Sequence, residues 1–272
     1  MKTKREKILT IALIGIIAII GILYLFDDEE YYDDYSDYSA SVENCNVLGI
    51  ELHGDLWTYE DSFQAQEFEI VASESIVFDI NEAQKDENIK AIILEIDSYG
   101  GLPIAGEEVA NALKRANLPT VALIRSGGLS ASYWAATGAD TIIASENSDI
   151  GSIGVTMSYL DNARSNLAEG LTYNQLSYGK YKDTGSPDKT LTYAEKQYLM
   201  RDINIIAENF IKAVSENRGL DIEKVRTLAD GSSMLGAMAL ENGLIDKIGD
   251  LQTTKEYLEN ELGEPVEVCW FE

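Results

Sequence analysis

Four short apolar runs, spaced so that helical segments fall between them, constrain the fold of this chain more than any other feature. Val47–Leu52, Ala91–Ile96 (AIILEI), Thr120–Ile124 (TVALI) and Thr141–Ala144 each read as a strand. Runs that are continuously apolar, rather than alternating, belong to strands covered on both faces, and this predicts a parallel sheet flanked by helices. The intervening segments fit. Phe68–Glu87 reads mainly as a helix, with Ile70, Val71, Ile76, Val77, Ile80 and Ala83 as its apolar positions, and Glu107–Ala116 as another. A further helix begins at Ser130 and runs to Thr137. Beyond Gly185-Ser186-Pro187 the pattern turns helical, over Tyr193–Glu216, Ile222–Ala229 and Ala237–Glu241. No internal repeat is present, so residues 46–272 read as one α/β domain with a helical C-terminal portion.

A different kind of segment precedes this domain. Ile8–Phe26 carries no charge, and at ~1.5 Å per residue it spans about 28 Å, close to the thickness of a bilayer's hydrocarbon core. Lys2, Lys4, Arg5 and Lys7 lie before it and Asp27, Asp28, Glu29 and Glu30 after it. Basic residues favour the cytoplasmic side, so residues 1–26 read as a cytoplasmic basic end and a single transmembrane anchor, with the domain extracytoplasmic. A cleaved signal peptide would have a shorter apolar region followed by small residues, not Tyr-Leu-Phe and four acids. Residues 27–45 are acidic and lack an apolar face, which suits a flexible, solvated stalk.

The chain's 272 residues carry 21 Lys and Arg against 47 Asp and Glu, a formal charge of -26. A nucleic-acid partner is disfavoured, because phosphate binding needs clustered cations. The two cysteines, Cys45 and Cys269, form no metal-binding cluster. No metal or other cofactor is expected. In an oxidising compartment the two could pair and tie the ends of the domain together.

Two glycine-rich stretches follow apolar strands: Asp97-Ser98-Tyr99-Gly100-Gly101, and Ser126-Gly127-Gly128-Leu129-Ser130-Ala131-Ser132-Tyr133-Trp134. Sites in parallel sheets form where strands lead into helices. Adjacent glycines let backbone N–H groups approach a ligand, and a serine at a helix start sets a hydroxyl among those donors. Acyl transfer uses such a layout, a nucleophile beside amides that hold an oxyanion. The hydroxyl also needs a base. His53 is the chain's one histidine, and Lys180 and Lys182 stand in Tyr178-Gly179-Lys180-Tyr181-Lys182-Asp183. Composition and spacing leave nucleophile and base open. Ser177-Tyr178-Gly179-Lys180 fits S-x-x-K, but Gly179 opposes the helix that this motif needs, and no S-D-N or K-T-G follows. Ser132 stands where a G-x-S-x-G elbow would have its last glycine, which disfavours an α/β-hydrolase.

The run Ser126–Val155 (SGGLSASYWAATGADTIIASENSDIGSIGV) closely resembles the signal peptide peptidase A (protease IV) family of serine peptidases. The likeness extends from about Val47 to Asp250, through Gly179–Pro187, Leu228–Gly231 and Gly243–Asp246. It implies a ClpP/crotonase-like fold and a Ser/Lys dyad, with Ser130 the nucleophile and Lys182 the general base. Ser152 matches the serine that orients the lysine, and Gly100 or Gly101 with the amide of Ala131 matches the oxyanion hole. It also implies a ring-like homo-oligomer whose neighbouring subunits complete each site, acting on signal peptides or other extended hydrophobic peptides. The dyad requires a pocket around Lys182 dry enough to favour the neutral amine. Two departures stand out. Tyr99 replaces the proline of Ser-Pro-Gly-Gly, and Ala131-Ser132 replaces Gly-Gly after the nucleophile. The second departure predicts side chains that narrow the groove or shift the oxyanion amide. The alternatives are a Ser/Lys protease of membrane proteins and a catalytically silent scaffold or binding module of the same fold. A crotonase-type acyl-CoA enzyme fits poorly, since a basic nucleotide patch is missing.

Overall fold

A computed structural model describes residues 45–60 and 69–270. The anchor at 8–26 and nearly all of the stalk lie outside the described residues. Among the described residues no helix is long and apolar enough to cross a membrane.

All four apolar runs are strands of one sheet. β1 (Val47–Trp57), β2 (Ile70–Ala72), β3 (Ala91–Gly101), β4 (Thr120–Leu129) and β5 (Thr141–Ala144) are joined by β8 (Lys247–Ile248) in the order β2-β1-β3-β4-β5-β8. Every pairing along that path is parallel. β6 (Asp149–Gly151) pairs parallel with the end of β4 and antiparallel with β7 (Ser233–Leu235), while β9 (Val268–Trp270) pairs parallel with the start of β1. Among the described residues the helices are α1 (Ser73–Ala83), α2 (Pro103–Arg115), α3 (Ala131–Ala136), α4 (Ala163–Ala168), α5 (Tyr193–Arg218), α6 (Ile222–Leu228), α7 (Gly236–Asn242) and α8 (Leu251–Leu262).

The side-chain alternation of the strands gives each face its own cover. Val47, Ile93, Val121, Leu123 and Ile143 on one face pack against Leu258 of α8. Helices α1, α2 and α3 also pack on the sheet, and Leu48, Ile50, Leu94, Ile96 and Ala122 are fully or nearly buried. α2 and α3 approach backbone to backbone: a Cβ at Gly106 would strike the carbonyl of Ala131, and one at Gly138 that of Ala110. The stacked rings of Trp134 and Phe210, with centroids 4.8 Å apart, dock α5 on α3.

The ends of the domain are tied beside β1. Cys45 and Cys269 form a disulfide with Cα atoms 5.7 Å apart, and Asn46 donates its side-chain amide to Glu264 and to the carbonyl of Pro265. Cys45, read above as the end of the stalk, is buried and bridged and so belongs with the packed domain.

The structure corrects three boundaries. Residues 70–72, expected within a helix, are strand β2, and the helix begins at Ser73. The two glycine-rich stretches, placed by the sequence after the strands, are largely strand themselves. β3 runs on through Asp97–Gly101 and β4 through Ser126–Leu129, because Ser98 pairs with Gly128 and Gly127–Leu129 pair with Asp149–Gly151. Backbone ladders supplied by neighbouring strands override the local turn propensity of glycine.

Candidate active site

β4 passes into α3 through a single residue, Ser130, whose φ of 54° and ψ of -124° lie outside helix and strand. A non-glycine residue held at positive φ costs on the order of 1–3 kcal/mol and persists only where its surroundings over-determine it. Here they do. The amide of Ser130 donates to the carbonyl of Gly151 at 2.8 Å, and its carbonyl accepts from the amide of Trp134 at 3.0 Å. Two residues on, the Ser132 hydroxyl is completely buried. It accepts from the amide of Leu129 at 2.9 Å and lies 2.8 Å from the carbonyls of Ser98 and Leu129. Ser132 therefore ties the end of β3 to the turn that carries Ser130.

The glycines of β3 lie against that turn. A Cβ placed on Gly100 (φ 124°) would stand 2.8 Å from Cβ and 3.3 Å from Oγ of Ser130. Only glycine lets the strand pass so near the hydroxyl. The Gly100 amide donates to Ser98 Oγ at 3.2 Å. Gly101 is fixed in the ladder opposite Leu56, whose carbonyl accepts from the amide of Leu102 at 2.8 Å. Ala131 is the first residue of α3, so its amide has no acceptor within the helix. Ser130, Gly100, Gly101 and Ala131 thus come together.

The side chains of Ala131 and Ser132 do not stand in the groove. Both residues are buried, Ala131 with its carbonyl against Gly106 of α2. The expectation that they narrow the site is corrected: the first turn of α3 faces inward, and Ser132 serves as a clamp. Tyr133, next along, is also interior. Its hydroxyl donates to the carbonyl of Leu244 at 2.8 Å, and burial pushes the phenol well above its ordinary value.

Ser152 follows β6 directly and also has positive φ, 50°. Its amide donates to Ser232 and its hydroxyl to the carbonyl of Gly231 at 3.2 Å, not to a lysine. His53 stands apart from the serine turn. Its Nε2 lies 3.3 Å from Glu95, which also pairs with Arg125 at 2.9 Å, and its Nδ1 lies 3.8 Å from Glu51. Among the described residues no Ser/His arrangement forms.

Lys182 lies on a different kind of surface. From Gly154 to Thr190 no residue is buried. This arm touches down chiefly at its far end: Tyr181 stacks on Tyr198 of α5 at 4.8 Å, and Lys189 bonds Glu195 at 2.6 Å. Lys182 itself is exposed in the turn after Gly179, and among the described residues its amine makes no hydrogen bond or ion pair. The dry pocket expected around it is not formed among the described residues of one chain, because none of them packs over the arm.

Among the described residues, the nine-stranded sheet with flanking helices carries a strained serine at a strand-to-helix junction, an α/β layout of the kind acyl transfer uses. The fold matches a mutant ClpP1 of Listeria monocytogenes with a TM-score of 0.50 over 75% of this chain and 92% of that one, at 12% identity. The model of Peptidase family S49 matches residues 112–263, more than half of the chain, and the chain belongs to that family. A Methanocaldococcus jannaschii protein that bears a protease name is 33% identical over 66% of this chain and 58% of its own length. An Enterococcus faecium protein named for signal peptide peptidase SppA is 30% identical over 67% of this chain and 54% of its own. Protease 4 of Haemophilus influenzae is 30% identical over 62% of this chain and 28% of its own. This chain thus spans little more than half of the first two relatives.

Proposed function

We propose that this protein is a membrane-anchored serine endopeptidase, with Ser130 as nucleophile and Lys182 as general base supplied across a contact between subunits. The observation that carries the reading is the Ser130 turn, over-determined at positive φ and set against Gly100. The arm supports the second half. It displays Leu160, 87% exposed, and Leu176, 99% exposed. Apolar surface left this open marks a contact with another molecule, and a second copy in a ring-like homo-oligomer would cover it. Burial there strips water from the amine, and burial disfavours an ammonium.

In this mechanism Lys182 takes the Ser130 proton as Oγ attacks the peptide carbonyl. The amide of Ala131, with Gly101 or Gly100, donates to the oxyanion. Lys182 returns the proton to the leaving amine, and water then hydrolyses the acyl ester. Ser152 lies one residue beyond Gly151, the acceptor of the Ser130 amide, a position from which it orients the incoming lysine.

Residues 8–26 anchor the protein, and the Cys45–Cys269 bridge supports an oxidising, extracytoplasmic location for the domain. Its substrates are residual signal peptides and similar extended hydrophobic segments. Comparing signal peptides with loop and tail peptides separates this reading from a protease of membrane proteins. A silent scaffold is the competing reading, and the observation in its favour is that Lys182 makes no contact with Ser130 within one chain. A serine-directed phosphonate decides between them. It should label Ser130 in the wild type and fail on Lys182→Met, and both Ser130→Ala and Lys182→Met should lose peptide cleavage while remaining folded. Turnover retained by either variant overturns the dyad, and an unlabelled wild type supports the scaffold.

A further inference from the structure

β3 ends beside the nucleophile with a largely exposed aromatic residue. Tyr99 is 71% exposed, and among the described residues its hydroxyl has no hydrogen-bond partner. Its ring edge rests on β4, with Cε1 3.6 Å from the position a Cβ would take on Gly127. The backbone on either side is fixed. The Ser98 carbonyl is clamped by Ser132 at 2.8 Å, and Gly100 bonds Ser98 Oγ and lies against Ser130. Rigid neighbours therefore aim the ring, and consecutive Cα atoms are only ~3.8 Å apart. Tyr99 is thus rooted one residue before the glycine that lies against Ser130, with its ring on the exposed rim over Gly127. The same rim carries Leu102 and Ile104, both exposed apolar side chains at the start of α2.

Resting on the peptidase reading, we propose that Tyr99 is a specificity-determining residue: its ring walls the subsite next to the scissile bond and favours substrates with a large apolar or aromatic side chain there. Aromatic rings gain from stacking and from apolar contact, and a ring anchored on a clamped backbone loses little freedom when it binds. The hydroxyl has no structural partner to lose, so the selection lies in the ring.

The test measures kcat/KM for paired peptides that differ only in the residue flanking the cut, Phe or Leu against Ala, with wild type, Tyr99→Ala, Tyr99→Phe and Ser130→Ala. Selectivity, the ratio within each pair, should fall about tenfold in Tyr99→Ala, mainly through KM, the scale expected when a side-chain contact in a pocket is lost. It should stay within about twofold of wild type in Tyr99→Phe. An unchanged ratio in Tyr99→Ala overturns the assignment while leaving the peptidase standing. So does an equal loss on both peptides accompanied by a change in assembly state on size exclusion, which would make Tyr99 a contact between copies. If wild type cleaves no peptide faster than Ser130→Ala, the peptidase reading falls and this inference falls with it.

Discussion

The sheet body up to Gly151 and the arm that follows it differ in almost every physical respect. In the body, β1, β3, β4 and β5 are buried along most of their length, and the Ser130 turn is held by hydrogen bonds to β3, β6 and α3. In the arm, 37 residues pass without one being buried, and large apolar side chains face outward. Half of the proposed dyad is thus completed by the fold of one chain, and the other half waits on a surface one chain does not provide. On the proposed reading, a site divided in this way is silent until copies assemble.

Arm and body should therefore fail differently when mutated, and this is the largest effect expected. Leu160→Asp with Leu176→Asp should bring peptide cleavage to background and shift the protein to smaller species on sedimentation, with the melting temperature kept. Ile93→Ala, in the core under α8, should cost ~2–5 kcal/mol of stability by opening a cavity. An arm variant that stays active as a monomer would break the comparison outright.

Next in size is the disulfide, which belongs to the body alone. Cys45→Ser with Cys269→Ser releases a closure spanning 224 residues of sequence. The chain-entropy model sets an upper value of about 5 kcal/mol for so long a loop. Denaturant titration should show the loss, reduced by the hydrogen bonds of Asn46 that still hold the ends together. Cleavage per folded molecule should persist, since neither cysteine approaches Ser130.

A smaller effect falls on the seam between fold and chemistry. Ser132→Ala leaves the half-buried amide of Leu129 without its 2.9 Å partner and frees the buried carbonyl of Ser98. A buried group left unsatisfied costs about 1–3 kcal/mol. Because the clamp positions Ser130, kcat should drop more than KM rises, and Ser132→Cys should recover part of the loss. A loss of stability in Ser132→Ala with kcat untouched would remove Ser132 from any positioning role.

What could be read from the sequence divides along the same line. Val47–Leu52, Ala91–Ile96, Thr120–Ile124 and Thr141–Ala144 were legible as strands because burial on both faces leaves an unbroken apolar run. Ser130 with Gly100, Gly101 and Ala131 was legible as a group through motif order. Ser132 looked like an intrusion, since a sequence does not tell whether a side chain at a helix start points into the groove or into the core. The strand ends Asp97–Gly101 and Ser126–Leu129 were illegible for another reason: their partners, such as Asp149–Gly151, are long-range and carry no local signal. β9 and α8 went unread, being short or only weakly apolar. The arm defied both patterns because none of its residues from Gly154 to Thr190 is buried, so neither period marks a covered face.

The finest test of the comparison is the response of the two regions to acid, which should have opposite signs. At the root of the arm, Glu195 is hydrogen-bonded first by Lys189 and then by Thr192, and these hold its carboxyl down at about 2. A lowered folded-state value means that the charged form stabilises the fold. That contribution is complete above the ordinary 4.5 and is lost as pH falls towards about 2. In the body, burial on α1, aided by the negative charge of Glu82, raises Asp79 from 3.8 to about 6. A raised carboxyl favours the protonated form, so its contribution is present below 3.8 and disappears as pH rises through about 6. Acidifying from pH 6.5 to 4.5 should therefore steady α1 while leaving the arm's root unchanged, and further acidification should loosen the arm first. Asp79→Asn should raise stability at pH 7 by no more than about 1 kcal/mol, because the partly exposed group is screened by solvent, and should flatten the profile between pH 4 and 6. Glu195→Gln should make the arm sensitive to limited proteolysis already at pH 7, with cuts between Gly154 and Thr190 and none in β1–β5. Cuts appearing in the body before the arm as pH falls would mean that the two regions do not differ in the way their packing implies.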